Sequence, residues 1–593
     1  MKTFFTALGG AILGTILGAV LLFFIGMMVV SGIVQSASSS LSGGSDNPDS
    51  MVLTLDLRQE LSDQAPVAGL AALFGQKGFV NVLTRLEDAR KDDRVKGLFI
   101  RASEFSVGSA RSEEIRNAIR RLRDSGKFVV VHSQGTYGGG PSALRAIAAA
   151  DEIIIQPGGD YLGGGVTFET MFFKDLLDRL NVSAEIEQFY EYKNAPNVYK
   201  ETDYTEAHRE AMTALADSIW DASLGDIAED RQMSVANVRS TLESGPLSPE
   251  QLVESGLADS IDWPESVMTA LKERAGEDAE FVDVLSYNPP PAPLGAPAIA
   301  IVGGEGPIVT GGISGDPFSS SAEFASDAIA EAILEAGRND RVKAIVFRVD
   351  SPGGSPTASD QIWNAVEMVK AMDKPVVVSM GSYAASGGYY VSTGADWIIA
   401  SRGTLTGSIG IFGGKLAIAD GLRQIGINTS EISVGGPFAG ALTTIDGFSE
   451  PEREMVTAWL KRGYDRFIGL VAEGRGMTVE EVDAIARGRV WKGEDALEVG
   501  LVDQLGGLID AVAKAREMAE IPADEESRLI FYPKVQGGFP GFGSMAEASA
   551  EDLSTLARAA EILEDTRIQA LIERGGMLQS SPAQARGPLL IEK

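Results

Sequence analysis

At 593 residues the chain is too long for one ordinary hydrophobic core, so two or more domains are expected. It is 44% hydrophobic and 23% charged, a folded composition, and its formal net charge of −32 argues against nucleic acid as a partner, since a phosphate backbone demands a basic face. With no cysteine, and with His132 and His208 as the only histidines, disulfides, thiolate chemistry and histidine-rich metal clusters are excluded, and neither a metal nor another cofactor is expected.

The first element is apolar. No charged residue occurs between Thr3 and Ser45, and the run exceeds the ~20 residues that span a bilayer, whereas a secretory h-region has only ~7–15. Residues 1–45 are therefore read as a transmembrane anchor and linker, with "SASSS" leaving room for cleavage. Lys2 and the amino terminus are the only positive charges before it, which places the tail in the cytoplasm and the rest of the chain outside. Gly10, Gly14 and Gly18 have the spacing of close-packing membrane helices, or reflect how common glycine is there.

Beyond the anchor the chain is a duplication. "DDRVKGLFIR" at 92–101 recurs as "NDRVKAIVFR" at 339–348, an offset of 247, which also carries "KFVVVHS" onto "KPVVVSM". Two later pairs follow in the same order, "YTEAHREAM…" with "FSEPEREMV…" and "LSPEQLVESGLADSIDW" with "WKGEDALEVGLVDQLGG". The reading is an N-terminal repeat at 46–285, a proline-rich linker at 286–297, a C-terminal repeat at 298–520 and an extension at 521–593 that matches nothing interpretable. In the second repeat "APAIAIVGG", "VKAIVFRVD" and "PVVVSM" are apolar strands, while "SSAEFASDAIAEAILEAGRN" and "SDQIWNAVEMVKAM" between them have helical periodicity. Such alternation implies crossovers and a buried, mostly parallel sheet, an α/β fold built twice.

Functional loops of such sheets gather at the carboxyl ends of the strands. Two are rich in glycine: "DSPGGSPTAS" (350–359) and "MGSYAASGGYY" (380–390). In the first, Gly353 and Gly354 allow a turn with exposed N–H groups, as in an oxyanion hole. In the second, Ser386 stands among small neighbours as a candidate nucleophile, with the Gly387 amide as a second donor. Ala384, Ala385 and the adjacent tyrosines suggest an apolar cleft suited to extended peptides. The plainer alternative is that serine beside glycine is only turn chemistry.

The proton acceptor discriminates. His132 falls inside a strand and His208 on a charged, solvated helix face, which leaves a lysine as base. A lysine titrating near 10.4 must lose about three units, ~4 kcal/mol, by burial to act near neutrality. Lys193 in "EQFYEYKNAPNVYKE" lies among Phe189, Tyr190, Tyr192 and Tyr199, whereas Lys200 beside Glu201 reads as a surface partner. Lys193 corresponds to about Phe438 in the second repeat, and Ser386 to about Pro141 in the first, so each repeat holds one member of the pair.

"SPGGS", "YAASGGYY", "TLTGSIGIF" (404–412) and "EYKNA" together resemble the long, double-repeat form of the signal peptide peptidase A (protease IV) family, from about residue 50 to about 520 plus the anchor. The resemblance implies two tandem Clp-protease/crotonase-like repeats and a Ser-Lys serine peptidase. Ser386 would be the nucleophile, Lys193 the general base, and Gly387 and Gly354 the oxyanion donors with possible support from Gly353. It further implies a homotetramer, bowl-shaped, anchored once in the bacterial inner membrane with its catalytic part on the periplasmic side, degrading signal peptide remnants and other hydrophobic peptides. Asp350 stands where relatives often have Asn; its expected role is to cap the turn. A phosphate loop at "GSIGIFGGKLA" is discarded, because Leu416 replaces the Ser/Thr that would hold magnesium. An acyl-CoA enzyme of this fold would lack access to its substrate outside the cell. A non-catalytic membrane scaffold of the same fold is the alternative from another class.

Overall fold

The computed structural model describes residues 47–534 apart from 60, 68–76, 104–107, 136–139 and 314–323. The apolar stretch read as an anchor lies outside these residues, as do 535–593. Among the described residues no helix is long and apolar enough to cross a membrane.

The duplication is expressed element by element. In the first repeat six strands lie in the order Ser260–Ile261, Glu152–Ile155, Phe128–Ser133, Val95–Ala102, Met51–Asp56, Glu280–Asp283, all parallel. The second repeats that order as Gln504–Leu505, Trp397–Ala400, Val376–Ala385, Val342–Ser351, Ala298–Glu305, Arg528–Tyr532. Both central strands carry a run of three valines buried on both faces, as the helical crossovers require. The strand Arg528–Tyr532 corrects the expected boundary at 520. It fills the sheet edge beside Ala298–Val302, so the second repeat extends at least to Tyr532.

The repeats share a core. Leu98 and Val131 of the first sheet, Ile299, Val346 and Val377 of the second, and Leu508, Ala511 and Ala515 of the helix Leu508–Met518 form one buried cluster. A charged group in this wall must be fully partnered. Arg348, wholly buried on a central strand, donates to Asp63 Oδ1 at 2.7 Å and Oδ2 at 3.0 Å, and to both oxygens of Glu114 at 3.0 and 2.8 Å. Both carboxylates come from the first repeat, so these bidentate bonds fix how one repeat sits on the other.

One element leaves this frame. The strand Ser183–Phe189 of the first repeat pairs antiparallel with Ile411–Ala417 of the second, from Phe189 opposite Ile411 to Ser183 opposite Ala417. The ribbon lies on the helix Glu450–Arg475, whose Arg453 forms ion pairs with Glu185 and Glu187. It delivers the chain after Phe189, including Lys193, onto the other repeat.

Candidate active site

The segment expected as a glycine-rich loop is not a loop. The strand Val376–Ala385 runs to its last residue, and the helix Gly387–Ser392 begins one residue later. Ser386 is the whole junction, with φ 55° and ψ −116°. Such a backbone costs a non-glycine residue ~1–3 kcal/mol and persists only when its surroundings enforce it. Here Ser386 N–H donates to Gly407 O at 2.8 Å, and its carbonyl accepts Tyr390 N–H at 2.9 Å. This strained strand-to-helix corner is the geometry that presents a nucleophilic hydroxyl at the top of a sheet. The two tyrosines that follow Ser386 do not line a cleft, contrary to expectation. Tyr389 is buried with its hydroxyl on Leu501 O at 2.8 Å, and Tyr390 bonds Asp360 at 2.7 Å.

Lys193 meets Ser386 within one chain. Its Nζ lies 3.0 Å from Ser386 Oγ, 2.8 Å from Ser408 O and 3.0 Å from Ser408 Oγ. Lys193 is 3% exposed, and burial alone, with no carboxylate acting on it, brings its ammonium down to about 7. Backbone clamps hold it there: Tyr190 and Tyr192 N–H donate to Arg487 O at 3.2 and 3.3 Å. Gly488, whose α-carbon abuts the Lys193 backbone, leaves no room for a side chain. Of the aromatic neighbours read from sequence, Phe189 and Tyr190 pack on Tyr464, while Tyr192 bonds Glu210 and Tyr199 stacks on Phe173 at the surface. Lys200 bonds Gln188 rather than Glu201.

Ser408 is the residue the sequence reading passed over. A neutral amine has two N–H donors and one lone pair. With both N–H groups given to Ser408 O and Oγ, the lone pair is left for the Ser386 hydroxyl. Ser408 is itself held at φ 48°, its N–H on Arg489 O at 2.7 Å. Its signal lay in "TLTGSIGIF": a serine at a loop position that otherwise favours glycine.

The two glycine loops also meet. A β-carbon on Gly387 would stand 3.1 Å from Gly354 N, and one on Gly353 2.8 Å from both Gly387 N and Ser386 Cβ. Ile308 bridges Gly354 as in a parallel ladder: Ile308 N–H donates to Gly353 O, and Ser355 N–H to Ile308 O, each at 2.9 Å. The Gly354 N–H is thereby left free of the ladder. Among the described residues neither Gly354 N–H nor Gly387 N–H has an acceptor, which suits an incoming oxyanion. Gly353 N–H is instead donated to Ser351 Oγ at 3.1 Å, so Gly353 supplies conformation (φ +107°) rather than a donor.

Three further expectations meet the structure. His132 is buried on its strand, with Nε2 3.2 Å from Asp262 O. His208 is not solvated: it is 3% exposed in an edge-to-face box with Tyr204 and Phe172, and burial lowers it to about 4. The residues that cover it come from outside its own helix, so its helix pattern could not reveal them. Asp350 does not cap the glycine turn. It is buried at the end of its strand, accepts Tyr383 N–H at 2.9 Å and faces Arg111 of the first repeat at 3.2 Å. It thereby spans a bulge where Val349 pairs with Met380 but Ser351 with Ala384.

Comparison with known proteins fits this geometry. The profile of peptidase family S49 matches residues 121–278 and 369–522, and that of Clp protease matches 319–400. The chain is 31% identical over 465 residues to Protease 4 of Salmonella typhi, covering 75% of this chain and 73% of the relative. It is 29% identical over 510 residues to the chloroplastic serine protease SPPA of Arabidopsis thaliana, covering 83% and 73%. A candidate signal peptide peptidase SppA of Enterococcus faecium is 34% identical over 198 residues, covering 33% of this chain and 56% of the relative.

Proposed function

The chain belongs to peptidase family S49 and is a serine peptidase, and on that premise we propose that Ser386 is its nucleophile and Lys193 its general base. The observation that carries the reading is the 3.0 Å separation of Lys193 Nζ from Ser386 Oγ at a buried amine with no carboxylate partner. Neutral Lys193 takes the Ser386 proton as Oγ attacks the scissile carbonyl carbon. The oxygen of the tetrahedral intermediate accepts from Gly354 and Gly387 N–H. As the C–N bond breaks, the Lys193 ammonium returns its proton to the leaving amine. Water then enters, gives a proton to Lys193, and hydrolyses the Ser386 ester.

The substrates are hydrophobic peptides, including signal peptide remnants, as the names of the relatives suggest. The apolar segment before residue 46 is a single-pass anchor in a bacterial inner membrane, holding the peptidase on the periplasmic side near such peptides. The assembly is a homotetramer. Labelling the full chain with an active-serine probe tests the chemistry. Label on Ser386 that vanishes in Ser386→Ala and Lys193→Ala is expected. Label that survives Lys193→Ala would discard the base, and no label in the folded wild type would favour the non-catalytic scaffold.

A further inference from the structure

The duplication leaves half a ribbon unmade. The helices Lys174–Arg179 and Ala419–Gln424, and the strands Glu152–Ile155 and Trp397–Ala400, correspond at an offset of 245. At that offset the strand Ile411–Ala417 corresponds to residues 166–172, and its partner Ser183–Phe189 corresponds to 428–434. The other strands of the two sheets have counterparts in the opposite repeat, the short pair Leu405–Gly407 and Val490–Lys492 being matched in the first repeat by the single bridge Tyr161–Leu247. The ribbon pair has not even a bridge: neither 166–172 nor 428–434 is in a strand.

Both segments are nevertheless set up for pairing. Val166 and Phe168 pack in one cluster with Leu215 and Ile219 of the helix Glu206–Asp230. Their counterparts Ile411 and Gly413 lie against Gly463 and Leu460 of the equivalent helix Glu450–Arg475. Residues 427–434 run without regular structure, with Ile432 93% and Val434 88% exposed. No backbone N–H of 428–434 donates to a backbone carbonyl among the described residues. An exposed, unpaired segment with β-branched apolar residues at alternate positions, Ile432 and Val434, is a template for strand addition.

We infer that residues 428–434 of one copy pair antiparallel with residues 166–172 of a second copy of this chain. The inference rests on the assembly proposed above and supplies its interface. Both pairings come from one register, so Ile411 opposite Phe189 becomes Val434 opposite Val166. Phe168 then faces Ile432 and Thr170 faces Ser430, placing apolar residues opposite apolar ones at two positions. The two surfaces are different patches of one molecule. The contact is therefore heterologous, each copy giving 428–434 to one neighbour and 166–172 to the other, and copies so joined close into a ring. The junction between copies would set Phe438, the counterpart of Lys193, over the first repeat, so it adds no second dyad.

Because the chain contains no cysteine, disulfide trapping is clean. In the full-length protein, Phe168→Cys with Ile432→Cys should oxidise to a ladder of covalently linked copies, at least tenfold above Phe168→Cys with Asn428→Cys, which is four residues out of register. Val434→Pro removes a backbone donor and blocks pairing at an exposed position. It should reduce the native mass by light scattering to one chain while Ser386 still takes the serine probe. A multimeric mass with equal trapping in both cysteine pairs would overturn this interface and leave the assembly standing. A single-chain mass in the wild type would overturn both. Unchanged mass with a raised KM in Val434→Pro would mean that 428–434 receives a substrate strand instead.

Discussion

Replacing Lys193 by methionine should stabilise the protein, and only in part of the pH range. Burial lowers the ammonium from 10.5 to about 7. A shift of roughly 3.5 units at ~1.4 kcal/mol each is a penalty of roughly 5 kcal/mol on the folded state wherever lysine is charged in both states. The folded value is the lower one, so between pH ~7 and ~10.5 the unfolded chain holds a proton the folded chain lacks, and this group makes stability rise with pH. Below about 7 both states are protonated and the penalty is whole. Methionine removes that pH dependence, but leaves Ser408 O and Oγ without the amine, a pH-independent loss of ~1–3 kcal/mol. The variant should thus be about 2–4 kcal/mol more stable than wild type at pH 6, with the gap falling by roughly 3 kcal/mol between pH 7 and pH 9. Urea unfolding of both proteins at pH 6, 7, 8 and 9 reads this directly. Equal pH slopes in the two proteins would refute the argument that Lys193 is held neutral by burial.

The same group governs turnover. In hydrolysis of an acyl ester, kcat/KM should rise through pH ~7 and level off as Lys193 loses its proton; Lys193→Arg, whose guanidinium stays charged, should give no measurable rate at any pH. Ser408→Ala removes a partner of the amine 3.0 Å away, and should lower kcat about 10–100-fold with KM little changed. Arg111→Met leaves the buried Asp350 and the half-buried Glu305 without their cation, the latter already pushed up to about 7 by burial and by Asp63 and Asp350. It should cost about 3–5 kcal/mol in urea unfolding. Asp350→Asn keeps the acceptor for Tyr383 N–H, should be nearly neutral alone, and should restore part of the loss when added to Arg111→Met.

What could be read from sequence was whatever chemistry narrows to a few residue types. A chain without cysteine and with two histidines leaves serine few bases, and the duplication shows by contrast which repeat kept Lys193 and which kept Ser386. The strands and helices were legible because a doubly covered parallel sheet leaves continuous apolar runs. Contacts made across the fold were not. Ser408 reaches Lys193 over 215 residues of chain, and His208 is walled in by Tyr204 and Phe172. Asp350 turns toward Arg111 instead of its own turn. The strand Arg528–Tyr532 fell beyond the last motif, so periodicity alone had to mark it, over only five residues.

The ribbon that joins the two repeats also bears on the molecularity of the proposed dyad. Lys193 and Ser386 arrive on opposite sides of the linker 286–297, whose Leu294 is 99% exposed, yet they meet within one covalent chain. Their encounter carries no concentration term, because the tether holds the effective concentration of each half high whatever the protein dilution. Specific activity should therefore be independent of dilution in the intact chain. A chain nicked within the linker would lose that immunity, and its dyad would last only as long as the shared core and the Arg348 ion pairs keep the fragments together.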